Sequence, residues 1–367
     1  MPLRLVTDRC HVLDDPWADG ALPLRFESLA ESIEGILGDI RSATGIAAVG
    51  DKAVPAAAEI AARLGLPFHT IAGAAASRDK FLSRNRFAEA GLAVPGYQLI
   101  SAFSEYRGGY PCVLKPLGLS GSRGVIRADT PAEFAAAFER ISRLPGQGRI
   151  LAEDFIPGRE FAVEGIVTHG RLRVLAIFDK PDPLDGPFFE ETIYVTPSRE
   201  PDAAKEAMAE AVQTAVTALA LTHGPIHAEL RWNGGPWMLE VAGRPIGGLC
   251  ARVLRFDSGR TLEEVILRHA SGEDVAGERA GQPAGVMMIP IGEGGVYRGV
   301  SGVAEAKSVA GIEDVEITAA EGQHMIPLPE GSSYLGFIFA RGGNPEAALR
   351  EAHGRLRFDF RKALAVL

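Results

Sequence analysis

The 367-residue chain has only three cysteines, Cys10, Cys112 and Cys250, all isolated and none in a CxxC pair. A disulfide framework or a structural zinc site is thereby disfavoured, and a reducing cytoplasm is the expected compartment. No apolar run approaches the roughly 18–20 residues of a membrane-spanning helix, and Met1–Asp8 lacks the apolar core of a signal peptide. No GxGxxG follows the first apolar run, so a dinucleotide site is not expected there. Basic residues are not in excess: 38 Lys+Arg stand against 47 Asp+Glu, a formal net charge of −9, so the electrostatic footprint of a nucleic-acid binder is missing. Lysine itself is scarce, 7 residues against 31 arginines. A lysine beside a glycine-rich loop is therefore not explained by background usage.

What is present fits an ordinary globular protein of two or three domains: 46% of residues are apolar and 23% charged. The first part reads as a small βαβ layer, with strands at Leu3–Val6, Ile46–Gly50 and Phe68–Ile71 and a helix at Ala53–Leu64. Asp14, Asp15, Pro16 and Gly20 interrupt the stretch after Cys10, so the first helix should be short. Arg78–Ala90 reads as a helix closed by Gly91. Strands follow at Val94–Ser101, Tyr110–Lys115, Arg149–Asp154 and Glu160–Val167, with helices at Pro131–Ser142, Asp202–Leu221 and Thr261–His269. After a glycine-rich linker, Ser271–Gln282, the tail from Ala284 is mostly short strands and ends in a helix at Pro345–Arg357.

The sharpest chemical signal is the hairpin Pro225–Trp232 and Trp237–Ala242. A two-residue turn at Gly234-Gly235 would set Glu229 opposite Glu240 and His227 opposite Ala242. Like charges directly opposite one another destabilise a sheet, and a hard cation such as Mg²⁺ reverses that penalty. Arg231 and Arg244 fall on the same alternation face, so the pattern suits a metal-bound polyphosphate. The alternative is a solvated hairpin face with cross-strand ion pairs.

Two further segments carry weaker signals. Lys115 ends an apolar strand and precedes Gly118-Leu119-Ser120-Gly121-Ser122-Arg123-Gly124. Such a loop converges backbone N–H groups on an anion, and Lys115 adds a point charge; the alternative is a flexible Gly/Ser loop. Glu153-Asp154-Phe155-Ile156-Pro157-Gly158-Arg159-Glu160 places two glutamates across a tight turn. Its backbone suits an adenine edge and a carboxylate suits ribose hydroxyls, although acids flanking a turn are commonly solvent-facing.

In this order the segments resemble the ATP-grasp superfamily of ATP-dependent carboxylate–amine ligases. Asp79-Lys80 resembles its first lysine motif, and Lys115 with Ser120, Gly121, Ser122 and Gly124 its second lysine and phosphate-covering loop. Glu153, Asp154, Phe155, Ile156 and Glu160 resemble its adenine hinge and ribose glutamate. Glu229 and Glu240 resemble its metal pair, with Arg231 and Arg244 as catalytic arginines. Many members carry Asn two residues after the second metal glutamate; here Ala242 stands, which puts two-metal occupancy in doubt. The tail, with Tyr334-Leu335-Gly336-Phe337, and Arg244-Pro245-Ile246-Gly247-Gly248 resemble the L-amino-acid (dipeptide) ligase group.

The resemblance implies an α/β fold, α+β in the core. Residues 1–76 would form a Rossmann-like βαβ domain, 77–275 a two-lobed ATP-grasp domain whose part at about 105–155 moves, and 276–367 a small β-rich domain. It implies ATP with one or two Mg²⁺ ions (or Mn²⁺), small-molecule carboxylate and amine substrates, no nucleic-acid or membrane partner, and a possible homodimer. Glu190, Glu191, Arg244, Gly247 and Gly248 are substrate-binding candidates, with Phe188 and Phe189 as pocket walls. His169, His223, His324 and Cys250 have no assigned partner and read as structural. Two other readings stay open: a purine-pathway ligase or carboxylase of the same superfamily, and an ATP-binding sensor or subunit without turnover.

Overall fold

The computed structural model describes residues 3–8, 21–144, 148–278, 281–331 and 333–361. It begins with a parallel pair, β1 (Leu5–Thr7) and β2 (Ala21–Pro23), followed by α1 (Leu29–Ile40), α2 (Ala53–Leu64) and α3 (Ile71–Ala76). Helix α2 has the expected bounds. The first helix was expected to be short, yet α1 runs for 12 residues, with Ile33, Ile36 and Ile40 at helical spacing as its buried face. The interrupted stretch with Asp14, Asp15, Pro16 and Gly20, and Cys10 before it, lies outside the described residues. Two expected strands are corrected. Ile46–Gly50 is not a strand, and Ile71 opens α3, where the Thr70 hydroxyl accepts from Gly73 N at 2.9 Å. Ala48 and Phe68 instead pack with Val54, Ala58 and Ala61 of α2. Apolar runs mark burial, and here a helix face rather than a ladder provides it.

Helix α4 (Lys80–Glu89) is started by Asp79, whose carboxylate accepts from the Phe81 and Leu82 amides at 2.9 Å. A small antiparallel sheet follows, built from β3 (Tyr97–Ile100), β4 (Cys112–Pro116), β5 (Ile126–Ala128) and β6 (Ile150–Asp154) in the order β3-β6-β4-β5. Helix α5 (Pro131–Ser142) covers it through Phe134, Ala137 and Ile141, which meet Leu114, Ile126 and Ala152. Thr130 caps this helix and Pro131 occupies its first turn, which needs no amide donor.

The large lobe contains β7 (Arg159–Thr168), β8 (Arg171–Asp179), β9 (Ile193–Thr196), α6 (Asp202–Leu219), β10 (Gly224–Trp232), β11 (Pro236–Ala242) and α7 (Leu262–Ala270). The tail adds β12 (Ala284–Ile289), β13 (Gly295–Ser301), α8 (Val303–Lys307), β14 (Ile312–Ile317), β15 (His324–Met325), β16 (Gly336–Arg341), α9 (Pro345–Arg355) and β17 (Arg357–Arg361). One eight-stranded sheet runs β11-β10-β7-β8-β9-β12-β16-β14, and β15-β13-β17 form a smaller one. Strand β12 pairs with both β9 and β16, so the sheet passes unbroken from the large lobe into the tail. Met208, Val212, Ala215 and Leu219 of α6 bury one face under β7, β10 and β11. The tail does not end in its helix: from Arg357 the apolar residues alternate, Phe358 and Phe360 half-buried and Arg357 and Arg361 exposed, and the chain becomes β17. Among the described residues no helix is long and apolar enough to cross a membrane.

The hairpin β10–β11 needs one correction. Trp232 pairs with Pro236, so the loop has three residues, Asn233–Gly235, not two. A bulge then leaves Leu239 unpaired between Met238 and Glu240, and beyond it Glu229 faces Glu240 and His227 faces Ala242 as expected. The extra loop residue and the extra bulge residue cancel. The bulge coincides with Arg84, which donates to the Met238 carbonyl at 2.6 Å and the Leu239 carbonyl at 3.0 Å.

Candidate active site

A cavity of about 610 Å³ opens between the small sheet and the large sheet and is closed at one end by the tail. The segments that surround it meet through charged contacts. Lys80 lies at the start of α4, donates to Leu119 O at 2.7 Å, and stands 3.7 Å from Glu240. Lys115, at the end of β4, lies 2.7 Å from Glu153 on the adjacent β6. Glu153 is buried and also receives Arg84 at 2.6 Å. Burial pushes its carboxyl up, but Arg84 and Lys115 outweigh burial and leave it below the ordinary carboxylate range.

The loop after Lys115 bends through Gly121 (φ +62°) and Ser122 (φ +54°) and presents Ser120, Gly121 and Ser122 to the cavity. Ser120 faces Asp51 and helps to lower its carboxyl. Asp51 in turn takes Arg244 bidentately, Nε at 2.7 Å and Nη2 at 3.2 Å. Burial raises the Asp51 carboxyl, and Arg244 and Lys80 more than offset that, leaving it lowered. The N-terminal region therefore contributes a cavity residue, through the loop ahead of α2, that the sequence motifs did not point to.

Below the hairpin is a tightly paired group. Lys180, just past β8, is buried and places Nζ 2.8 Å from Glu160, 2.7 Å from Glu191 and 2.9 Å from Glu229. Its pKa stands well above the usual lysine value: burial opposes the charge, and the three carboxylates outweigh it. Burial, with Lys180 opposing and Glu229 adding, pushes Glu191 up to about 7. Glu229 is lowered because Lys180 and His227 overcome its burial. His227 bridges Glu164 on β7 and Glu229, the latter at 3.4 Å. Burial alone would depress its pKa, but Glu164 outweighs it and raises the ring to about 9. Its partners are carboxylates and not the backbone that a plain strand histidine would use, and they leave it no free lone pair to make up for Ala242.

Expected residues divide in this geometry. Lys80, Lys115, Ser120, Gly121, Ser122, Glu153, Asp154, Phe155, Ile156, Glu160, Glu191, Glu229, Arg231, Glu240, Arg244, Gly247 and Gly248 line the cavity. Gly124 does not line it: its amide is spent on Pro329 O of the tail at 2.8 Å. Glu190 also turns away, toward the Ile291 backbone, because adjacent residues of an extended segment face opposite ways. Phe189 lines the cavity, whereas Phe188 packs with the small sheet and under Arg140. Arg231 is not a loose clamp. It donates to Ile156 O at 2.6 Å, to Glu160 at 3.2 Å and to Leu184 O, and lies 4.8 Å from the Phe155 ring. Arg127 covers the same ring at 4.2 Å, so Phe155 is held between guanidiniums of both lobes. His223 stacks on His269 at 4.1 Å, outside the cavity lining.

The far end of the cavity was not legible in the motifs. Its wall comes from Tyr194, Cys250, Met288, Tyr334 and Phe337, with Thr318, Gln323 and Ser333 at the rim. Only the Gly247-Gly248 segment and the tail's aromatic cluster hinted at it.

Chemically, two facing carboxylates, Glu229 and Glu240, suit a hard divalent cation. Two lysines and a loop of small residues across the same cavity suit phosphate oxygens. Residues 108–253 match the ATP-grasp domain model, so this part of the chain is an ATP-grasp domain. Residues 287–360 match the L-amino acid ligase C-terminal domain 2. The chain is 27% identical to the L-amino acid ligase from Bacillus licheniformis, with a TM-score of 0.79 over 93% of this chain and 88% of that one. It is 26% identical over 307 residues to dapdiamide A synthase of Enterobacter agglomerans, covering 77% of this chain and 71% of that protein. It is 27% identical over 214 residues to alanine–anticapsin ligase of Bacillus subtilis, covering 50% and 45%. Among such curated relatives the chain spans as little as 45% and 56% of their length.

Proposed function

We propose that the chain is a cytoplasmic, ATP-dependent ligase that joins an amino acid carboxylate to an amine and forms ADP and phosphate. The observation that carries this reading is one cavity in which Glu229 and Glu240 face Lys80, Lys115 and the Ser120–Ser122 turn. Relatives whose names describe alanine–anticapsin ligation and dapdiamide synthesis support it.

In the first step a substrate carboxylate oxygen attacks the γ-phosphorus of ATP and the bond to ADP breaks. In the second the amine, as the free base, attacks the acyl carbon; its surplus proton passes to the phosphate, which leaves with the bonding pair. Carboxylate oxygen is a poor leaving group and phosphate a good one, which is why ATP is consumed. Lys80, Lys115 and the loop amides hold the phosphates; catalysis of this kind is mostly positioning and charge neutralisation. Glu229 and Glu240 would hold the divalent ion, which would supply neutralisation of phosphate charge when bound. Arg244, fixed by Asp51, steadies the substrate carboxylate. Glu191 meets the substrate ammonium, and Arg231 positions the hinge through Ile156 and Glu160.

The test is phosphate release from Mg-ATP across the twenty amino acids, singly and in pairs, with mass spectrometry of the products. A product lighter than its pair by one water is the expected result. ATP binding with no release from any pair would instead support a nucleotide sensor, a reading favoured by Ala242 and by Glu229 being already neutralised by Lys180 and His227.

A further inference from the structure

Arg84 lies on α4 one turn after Lys80, so the two side chains share a helix face, and both reach strand β11. Lys80 stands 3.7 Å from Glu240, and Arg84 is buried against the two residues just before it. All three guanidinium nitrogens are engaged. Nε donates to Glu153 at 2.6 Å, Nη1 to the Met238 carbonyl at 2.6 Å and Nη2 to the Leu239 carbonyl at 3.0 Å. In a regular strand successive carbonyls point to opposite sides, so one guanidinium meets two of them only where the strand bulges. Strand β11 is an edge of the large sheet, and the Met238 amide is also satisfied from outside it, by Ala93 O at 2.9 Å. The bulge is therefore held by α4 and the segment after it, not by β10.

The register of the glutamate pair depends on that bulge. From Trp232–Pro236 to Leu230–Met238 the hairpin pairs in step, and an unbulged continuation would set Leu239 opposite Glu229 and turn Glu240 to the other face. We propose that Arg84 is a positioning residue for the cation pair: its fork holds the bulge that brings Glu240 opposite Glu229, and through Glu153 it ties the same strand to Lys115. A buried ion pair adds little stability over apolar residues of the same volume, and fixing a register is its best-attested use. Lysine carries a point charge on a flexible stem and does not reproduce the planar fork that spans two carbonyls and a carboxylate. Arg84's role rests on reading Glu229 and Glu240 as a cation site, and it adds the residue that sets them face to face.

The test is Mn²⁺ binding to the full chain at saturating AMP-PNP, followed by electron paramagnetic resonance, together with amide hydrogen exchange; neither needs turnover. Arg84→Lys should weaken Mn²⁺ binding by about tenfold or more, as expected for a group that orients a metal ligand. Arg86→Gln is the control: it removes a hydrogen bond made from the same helix, to Leu219 O at 3.1 Å, and should leave Mn²⁺ affinity unchanged. Deleting Asn233 shortens the exposed loop to Gly234-Gly235 without touching Arg84, and should also leave that affinity unchanged. This arm decides even where Arg84→Lys does not fold. Equal Mn²⁺ affinity in Arg84→Lys and Arg86→Gln would overturn the positioning role. So would a loss of affinity on deleting Asn233, which would show that the loop sets the bulge. A wild-type chain that binds no Mn²⁺ would overturn the cation reading instead, and hydrogen exchange then judges Arg84 by itself. The Leu239 and Glu240 amides should exchange about tenfold faster in Arg84→Lys than in Arg86→Gln, and equal rates would overturn the assignment.

Discussion

The nucleotide end and the apolar end of the cavity are built in different ways. At the first, nearly every side chain is committed to a partner of opposite charge before any ligand arrives: Lys80 to Glu240, Lys115 and Arg84 to Glu153, Arg244 to Asp51, Lys180 to three carboxylates. At the second, packing replaces pairing, with Met288, Phe337 and Cys250 part of one hydrophobic cluster. A preorganised charge lattice does not need to reorganise when a polyphosphate enters, and it is expensive to damage. A packed apolar wall accepts volume-conserving substitutions at less cost than a paired charge does.

The comparison is best broken at its charged end. Glu240→Gln should lower ATP-dependent phosphate release by about 10³-fold with the circular dichroism spectrum unchanged; an active variant would remove the metal assignment. Lys180→Met leaves Glu160, Glu191 and Glu229 without their shared cation, and urea unfolding in metal-free buffer should show a loss of about 3–5 kcal/mol. An equally stable variant would mean that the lattice is not structural.

His227 gives the pH dependence. Its folded pKa, about 9, exceeds the ordinary histidine value, so its contribution is fully present below about pH 6.5 and is lost as pH rises through 9. Urea midpoints of the metal-free chain should fall from pH 6.5 to 9.5 by the equivalent of about 3 kcal/mol, and His227→Gln should flatten that slope. Manganese counting sharpens the same end further. Ala242 offers no ligand and His227 is committed, so the AMP-PNP complex should retain one Mn²⁺ per chain; two would show that the missing Asn is replaced from elsewhere. The smallest effect concerns the bridge between the small lobe and the tail. Arg140 and Glu330 are both well exposed, and Glu330→Gln should change stability by no more than about 1 kcal/mol in urea unfolding.

Much of the charged end was legible because its motifs are local. Asp79 caps the helix that Lys80 begins, Lys115 closes a strand, and the Glu229–Glu240 pairing survived a wrong turn because a bulge restored the register. Asp51 and Arg84 escaped, since each acts on a partner more than 60 residues away in the chain and neither sits in a patterned motif. Glu191 was separable from Glu190 only once the backbone direction was known.

The sequence alone determined much of the order of elements from Arg78 to Ala242, the lysines, the glycine loop and the glutamate pair, because hydrophobic period, capping and turn chemistry act over a few residues. Tertiary structure decided the rest. It turned Arg231 onto the hinge, spent the Gly124 amide on Pro329, buried Lys180 among three carboxylates and brought Met288 and Phe337 to a shared wall. Those are contacts between segments remote in the chain, and their energies depend on distance and burial that no local pattern encodes.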